Sequence, residues 1–462
     1  MEQPLLTKPV KSALLSMAAP AAFGMLMTFL FQLVDSYFVG KLGTQPLAAI
    51  SFAYPVYILV VGLFMGIAAG VSATVGKALG ENNKRKAQSL GTISIVLFAL
   101  FTLLLGGLGY STIDVTFSLL GADAQTAALV GEYMGPLYLG MALLVIGLIA
   151  NAALMAKGVM VKTTIIMAIG GVTNVVFDYF LIFGFGIFPE LGLQGAAIAT
   201  LISWAVIAVL MLVLLFEQDI LSFQAVHDVK AQVEEILRIS TPAIAAQILG
   251  PIAIAFVTRM VSSHGESAIA AFGIATRLES LLLTGILSLS VIVTPLVAQN
   301  FGARATHRLD AIVAYSGRMT VYWGLATFGL IALFSREIMG LFTHEPQVVE
   351  HGALYFYVVG ITFPAYGLVL LTSAFLNGVQ QASSSLKLTL VKSLMLTIPL
   401  VFIGAQLDIE FIWGGIAIAN VLGMMYAKKL LDSWVKQSES QLDQQSPIED
   451  YWSDLKGLFS RT

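Results

Sequence analysis

Residues 18–40 read AAPAAFGMLMTFLFQLVDSYFVG and indicate the architecture of this chain. This stretch is long enough to cross a bilayer as a helix, because a span needs about 20 apolar residues. Within it stand one proline, Pro20, and one carboxylate, Asp35. An offset of 222 residues lays it on STPAIAAQILGPIAIAFVTRMVS, residues 240–262, where Pro242 falls on Pro20. The sequence therefore predicts membrane-spanning helices and an internal repeat.

The same offset aligns further residues of the two copies without gaps. The matching pairs include Gly43 with Gly265, Ala53 with Ala275, Val75 with Val297, Gly80 with Gly302, Gln125 with Gln347, and Tyr133 with Tyr355. So many ungapped matches are not easily supplied by chance. If each copy holds six spans, both copies begin on the same side of the membrane. They are then parallel repeats related by an axis along the membrane normal.

The composition of the whole chain supports a membrane protein. Of its 462 residues, 58% are hydrophobic and only 11% are charged, where soluble proteins carry about 25% charged residues. We therefore predict an all-α polytopic protein with twelve transmembrane helices. The predicted spans are 12–39, 47–76, 90–110, 128–155, 163–185, 191–216, 236–262, 269–298, 317–335, 350–378, 386–405 and 411–431.

The spans group into two lobes with a central cleft between them. Residues 1–217 form the N-terminal six-helix lobe and residues 236–431 the C-terminal one. The polar stretch 218–235 is predicted to link them in the cytoplasm, and residues 432–462 to form a polar cytoplasmic tail. Lys and Arg near span ends mark the cytoplasmic side. With both termini cytoplasmic, 20 of the 24 cations fall there, with Lys392 counted in a loop.

Several classes of function are excluded or disfavoured. The chain has no cysteine and only five histidines, so thiol catalysis is excluded and a metal site is not expected. A net charge of −3 disfavours nucleic acid as a partner. No Gly-rich phosphate loop is present, which argues against ATP as the direct energy source. An intramembrane enzyme would need a nucleophile with a base, or a metal cluster, at mid-span, and none is found there.

Two carboxylates inside the first lobe are the strongest functional candidates. Asp35 lies in the first predicted span and Asp178 in the fifth, both in the outer half and at similar depth. An ionisable side chain at a span centre costs about 2.5–3.5 kcal/mol on insertion scales, so each needs a reason. Burial and a second carboxylate nearby both favour the protonated form. We expect the pair to gain and lose a proton near neutral pH; the alternative is a buried pair that only ties helices together.

Three further residues complete the predicted site. Asn174 precedes Asp178 by four residues, so helical spacing puts both on one face. Thr200 in the sixth span could add a hydroxyl to the cluster, or could instead bond its own helix backbone. Pro20 is predicted to act as a conformational hinge that answers to the protonation of Asp35, although membrane helices also tolerate proline without such a role.

The second copy lacks the acids. The offset places Val257 at the position of Asp35 and Leu400 at that of Asp178, so ion coupling is expected in the N-terminal lobe alone. Arg277 and Glu279 lie near mid-span in the C-terminal lobe, and a spacing of two puts them on different faces. A structural ion pair with another helix is the favoured interpretation there, and contact with substrate is the alternative.

Five segments together resemble the MATE family of multidrug and toxic compound extrusion transporters, in its DinF branch, and the resemblance extends over residues 12–431. The segments are AAPAAFGMLMTFLFQLVDSYFVGKLG (18–43), NVVFDYFLIFGFG (174–186), LGLQGAAIAT (191–200), GIATRLES (273–280) and VAQNFGA (297–303).

The resemblance implies a secondary transporter that works by alternating access in the bacterial cytoplasmic membrane. It would export small cationic and amphipathic drugs in exchange for protons, contacting membrane lipid, as a monomer and without a cofactor. The acidic site of the DinF branch falls on Asp35, Asn174 and Asp178, and less securely on Thr200. Other branches of the family carry acidic residues on the seventh and tenth helices, and this chain has none plainly inside the membrane there. The resemblance therefore favours proton coupling, with sodium coupling as the alternative. A lipid-linked oligosaccharide flippase is a further alternative, which would need a cationic cavity.

Overall fold

A computed structural model describes residues 4–119 and 124–439 of the chain. Every regular element in these two ranges is helical, which confirms the predicted all-α fold. Eleven of the helices are long and apolar enough to cross a membrane, or twelve when one bent pair is counted as a span. Residues 440–462 of the predicted tail lie outside the described residues.

The chain divides into two compact units. We call residues 23–79 and 83–237 the N-terminal unit, and residues 4–22, 80–82 and 238–439 the C-terminal unit. In chain order the first eight helices are α1 (Pro4–Thr7), α2 (Val10–Gly40), α3 (Thr44–Gly80), α4 (Lys84–Ser111), α5 (Ile113–Leu119), α6 (Ala124–Lys157), α7 (Val161–Phe183) and α8 (Gly192–Glu217).

The second half of the chain continues the helical order. Its helices are α9 (Val229–Ser262), α10 (Glu266–Leu282), α11 (Thr284–Gly302), α12 (Thr306–Gly340), α13 (Pro346–Gly360), α14 (Phe363–Gly378), α15 (Ala382–Leu390), α16 (Ile398–Ala405) and α17 (Ile409–Glu439). A π-helix, Val391–Thr397, joins α15 to α16, and a short 3₁₀ turn, Phe223–Ala225, precedes α9.

The internal repeat is visible in the helix boundaries. Boundaries that lie 222 residues apart include Gly40 and Ser262, Thr44 and Glu266, Gly80 and Gly302, Lys84 and Thr306, Ala124 and Pro346, and Phe183 and Ala405. The packing repeats as well: α8 packs on α6 and α7 in the N-terminal unit, and α17 packs on α14 and α16 in the C-terminal unit. The two copies therefore share one helical pattern.

Two spans that are continuous in the first copy are broken in the second. The predicted span 269–298 consists of α10 and α11, with a break at Leu283. The predicted span 350–378 consists of α13 and α14, bent by 57°. Pro364 stands in the first turn of α14, where its missing N–H costs no helical hydrogen bond. At the first break, the indole of Trp323 donates to the Leu282 carbonyl at 2.9 Å.

The polar stretch between the halves packs on the N-terminal unit. Ile220 and Leu221 are buried, and the backbone N–H of Ser222 donates to Thr92 Oγ1 at 3.0 Å. At the other end of the stretch, Lys86 and Glu235 form an ion pair of 2.9 Å. The hydrogen bond to Thr92 satisfies a backbone N–H that a free loop would leave to water.

The last described helix extends beyond the predicted end of the twelfth span. α17 runs to Glu439, so the first residues of the predicted tail are helical. Trp434 is buried there, with its ring centroid 5.0 Å from that of Phe375 in edge-to-face geometry. The beginning of the predicted tail is therefore part of the folded C-terminal unit.

Candidate functional site

Within the N-terminal unit, α2 and α7 lie side by side and run in the same direction. A Cβ built on Gly24 would lie 3.5 Å from Thr164, and one built on Gly171 would lie 2.0 Å from the ring of Phe31. Residue numbers rise together along both helices through these contacts. Glycine at position 171 is what admits the aromatic ring, since any side chain there would displace it. This packing fixes the register in which the two carboxylates meet.

The two predicted acids occupy matching depths on these helices. Asp35 stands five residues before Gly40, the end of α2, and Asp178 stands five residues before Phe183, the end of α7. At 1.5 Å per residue, each lies about 7.5 Å inside its helix end. Their carboxyl groups are within hydrogen-bonding reach of each other. The structure thus brings together the two acids that the sequence singled out.

The environment of this pair favours the sharing of a proton. Asp178 is fully buried, with 0% of its surface exposed, and neither of its carboxyl oxygens accepts a hydrogen bond from another described residue. Two ionised carboxylates in contact repel each other, and buried charge without partners is costly. One proton between Asp35 and Asp178 removes the repulsion and supplies the missing hydrogen bond. The arrangement is therefore chemically suited to taking up and releasing a proton.

Asn174 and Thr200 stand next to the pair and contact each other. Asn174 lies one helical turn before Asp178 on α7, and its side-chain amide donates to Thr200 Oγ1 of α8 at 3.4 Å. About one helical turn away on each helix, Ser203 Oγ donates to the Gly170 carbonyl at 2.7 Å and again joins α8 to α7. Thr200 thus supports the amide from a neighbouring helix.

The contribution of this contact is testable. Thr200→Val removes the acceptor, and we expect it to lower the export rate by about two- to tenfold, because a neutral hydrogen bond contributes about 0.5–1.5 kcal/mol. Thr173→Val is the matched control, since Thr173 Oγ1 donates to the Ile169 carbonyl of its own helix at 2.8 Å. Initial rates of dye accumulation in everted vesicles measure both. Equal rates for wild type and Thr200→Val would show that the contact has no functional role.

Two tyrosines near the acids were not identified from the sequence as site residues. Tyr57 of α3 and Tyr133 of α6 are both close enough to Asp35 to interact with it electrostatically, and Tyr133 also interacts with Asp178. The repeat held a signal for Tyr133, because its counterpart Tyr355 donates its hydroxyl hydrogen to a carboxylate, Glu279, in the second copy. The phenols line the same polar niche as the acids.

Aromatic rings cover the site toward the ends of α2 and α7. The ring of Phe38 lies 5.9 Å from that of Phe183 in edge-to-face geometry, and Gly184 ends α7 with a φ of 67°. That left-handed conformation suits glycine and turns the chain sharply after the helix. The rings in contact around this end are those of Phe38, Phe177, Tyr179, Phe180, Phe183, Phe185 and Phe188. They make this end of the two helices apolar.

Val257 and Pro20 are two further positions that the sequence analysis singled out. Val257 is buried in the apolar core of the C-terminal unit, at the position that Asp35 holds in the first copy. Pro20 lies inside α2, two residues before Ala22, the last residue of that helix to belong to the C-terminal unit. The helix passes from one unit to the other directly after its proline.

Lys392 and Glu279 differ in their surroundings from what the sequence predicts. The orientation count places Lys392 in a loop, although the predicted span 386–405 includes it; the structure places Lys392 inside the span Ala382–Ala405, in the π-helix. The residues that precede it, SSSLK at 383–387, belong to α15. Nor does Glu279 form an ion pair among the described residues: it accepts the hydroxyl of Tyr355 and interacts with Lys392 over a longer distance.

Comparison with known proteins identifies the family. The sequence profile of the MatE family matches residues 20–180 and 242–403, one match in each copy of the repeat. The chain belongs to the MatE family. A MATE transporter of Vibrio cholerae, VcmN, in a form described as bent, is 25% identical with a TM-score of 0.87, over 92% of this chain and 97% of that one. The predicted family and fold class are confirmed.

Two curated relatives of this MATE transporter cover most of its length. A protein of Shewanella oneidensis named FAD transporter is 33% identical over 87% of this chain and 90% of its own. The multidrug export protein MepA of Staphylococcus aureus is 26% identical over 86% of this chain and 87% of its own. The chain is thus a membrane transporter of the MATE family and not an enzyme.

Proposed function

We propose that this MATE transporter exports organic compounds in exchange for protons, with Asp35 and Asp178 as the proton-carrying pair. The observation that supports the proposal is the pair itself: two carboxyl groups within hydrogen-bonding reach, one of them fully buried, without donors from other described residues. The acids occur in one copy of the repeat only, so the fold does not require them. Thr200 accepts a hydrogen bond from the side-chain amide of Asn174, which lies one helical turn from Asp178. Sodium coupling is the alternative.

Alternating access couples the pair to the substrate. In the outward-open state, uptake of one proton by the Asp35/Asp178 pair removes their mutual repulsion and lets α2 repack, which expels the substrate. Release of the proton on the inside resets the transporter. Pro20 is the hinge, because a proline weakens the helix at the point where α2 leaves one unit for the other.

Different observations support two classes of substrate. MepA is named a multidrug export protein, which supports small cationic and amphipathic drugs. The relative with 33% identity is named FAD transporter, and Lys392 places a positive charge inside a span of this chain. Since flavin adenine dinucleotide is an anion at neutral pH, it is the second candidate substrate.

The charge distribution supports an orientation with both termini in the cytoplasm, in the bacterial cytoplasmic membrane. With Lys392 counted inside the membrane, 19 of the 24 cations remain on the side of the termini. Such a bias is the usual determinant of orientation. Protons then enter from outside, down their gradient, as the substrate leaves.

The proton gradient supplies enough free energy for this exchange. Each pH unit of gradient is a factor of ten in concentration ratio, about 1.4 kcal/mol. A monovalent cation exchanged for one proton moves no net charge, so the pH gradient alone drives its export. A neutral or anionic substrate also gains about 2.3 kcal/mol per charge for every 100 mV of membrane potential, roughly another fiftyfold.

Everted vesicles that contain the protein test this proposal. Ethidium and flavin adenine dinucleotide are offered outside, under an imposed gradient of protons only or of sodium only. We expect accumulation of at least one compound with the proton gradient and none above background with the sodium gradient. Accumulation driven by sodium, with the pH gradient abolished by an ionophore, would replace proton coupling by its alternative.

A further inference from the structure

Four polar side chains form a cluster in the C-terminal unit, and their role is not accounted for by the proton pair. Glu279 comes from α10, Tyr355 from α13, Tyr366 from α14 and Lys392 from the π-helix. Tyr355 is buried, and the other three are half-buried. The cluster therefore joins four helical segments and keeps some of its polar surface accessible.

Lys392 stands near the middle of a membrane span. It follows Ala382, the first residue of the span, by ten residues and precedes the last, Ala405, by thirteen. At 1.5 Å per residue these separations are about 15 Å and 20 Å along the helix. A lysine at this depth is costly to insert, and intramembrane cations commonly mark substrate pathways. The depth of Lys392 in the span thus indicates a functional role for its charge.

The charge of Lys392 is not neutralised by a direct partner. Glu279 is engaged by the hydroxyl of Tyr355, which donates to its carboxylate. The ammonium of Lys392 lies 5.0 Å from the ring centroid of Tyr366, in cation–π geometry. Within residues 4–119 and 124–439 it has no hydrogen-bond acceptor and no ion pair. Its hydrogen-bond donors remain available to a ligand.

The backbone around Lys392 holds the side chain in place. The Thr397 hydroxyl donates to the Lys392 carbonyl at 2.8 Å, a spacing of five residues that accompanies the π-helix. On α17, Gly423 leaves room for the aliphatic part of the lysine, because a Cβ there would lie 2.9 Å from Lys392 Cγ. Single π-helical turns occur frequently at functional sites.

We propose that Lys392 binds the phosphate group of an aromatic organic phosphate during export, with the ring of Tyr366 beside it. The ammonium contacts the anion as a point charge, as lysines do in phosphate sites. Tyr355 keeps Glu279 engaged, so the carboxylate does not compete for Lys392. This inference rests on the proposed export function and assigns a substrate class to it.

The repeat argues against a purely architectural role. The offset of 222 places Gly170 at the position of Lys392 and Tyr57 at that of Glu279. The first copy forms membrane spans at the corresponding positions without either charge. Lys392 and Glu279 thus occur in the second copy only, as Asp35 and Asp178 occur in the first only.

Binding of two flavins to the purified protein tests the proposal. Flavin adenine dinucleotide and riboflavin share the isoalloxazine ring, and only the dinucleotide carries phosphate. In equilibrium dialysis against detergent-solubilised protein, we expect Lys392→Met to weaken binding of the dinucleotide by about ten- to a hundredfold and of riboflavin by less than twofold. Lys387→Met is the matched control, because Lys387 lies on the same span but is exposed, and it should bind both flavins as wild type does.

Each other outcome has a definite meaning. A wild-type protein that binds riboflavin as tightly as the dinucleotide would overturn the proposal. So would a Lys392→Met protein that loses both flavins equally, since the lysine would then be structural. If Lys392→Met does not fold, Lys392→Arg keeps the charge and should retain the preference for the dinucleotide. Phosphate-dependent binding without proton-driven export would leave this inference standing and refute the proposed function.

Discussion

Replacement of Asp35 by Asn is expected to abolish proton-driven accumulation without unfolding the protein. In everted vesicles under an imposed gradient of two pH units, a one-for-one exchanger sustains an accumulation ratio of about a hundredfold for a monovalent cation. The amide of Asn cannot carry a proton across, so the ratio should fall to about one. Flow dialysis of the labelled compound measures the ratio directly.

The control for this variant is Asp114→Asn. Asp114 lies in the first turn of α5 in the same half of the chain and is exposed, so its neutralisation should leave accumulation unchanged. Size-exclusion chromatography of both proteins establishes that they fold. An Asp35→Asn protein that accumulates substrate like wild type would remove Asp35 from the coupling site.

Asp178→Asn is expected to have an equally large effect. Asp178 is the fully buried member of the pair, and its oxygens accept no hydrogen bond from other described residues, so Asp35 is its natural partner. If the two act as a unit, losses from single and double replacement do not add. The accumulation ratio should fall to about one in Asp178→Asn, and Asp35→Asn/Asp178→Asn should behave in the same way.

A suitable control here is Asp219→Asn, in the stretch that joins the halves. Asp219 is exposed and forms an ion pair of 2.8 Å with Lys84. It lies between α8 and α9, outside the membrane spans. Its hydrogen bond to Lys84 lowers the pKa of Asp219, so it stays ionised at neutral pH and cannot substitute for the pair. If Asp178→Asn retained most of the accumulation while Asp35→Asn lost it, Asp35 would act alone.

Much of the fold was predictable because membrane helices leave a strong local signal. Apolar runs of span length define the helices, and the 222-residue offset recurs in the helix ends at Gly40 and Ser262. The breaks within two spans of the second copy were not predictable from hydropathy, because apolar residues continue through them. Leu283 at one break is itself apolar, and the carbonyl exposed nearby is satisfied from another helix by Trp323.

The candidate site was predictable where depth and helical spacing define it. Asp35 and Asp178 stand at equal distances from their helix ends, and Asn174 lies one turn from Asp178. Their meeting, however, depends on the register between α2 and α7, which Phe31 and Gly171 fix through a contact distant in sequence. No local pattern encodes such a contact.

The charge cluster of the second copy could not be predicted from the sequence, for a similar reason. Lys392 lies inside the predicted span 386–405, but hydropathy gives no information on its neighbours from other helices. Its proximity to Glu279 and Tyr366 arises only when three separate helical segments pack together. A tyrosine that matches across the repeat, Tyr133 with Tyr355, was the one available hint that both copies build a polar niche at this place.

Proton release on substrate binding measures the coupling between the Asp35/Asp178 pair and the substrate. Purified transporter in a weakly buffered detergent solution near neutral pH is mixed with the compound that vesicles export, and the change in pH is recorded with an indicator dye. The wild type should release protons in proportion to bound substrate, and Asp35→Asn and Asp178→Asn should release none. Substrate binding to the wild type without proton release, or with the same release from both variants, would contradict the account.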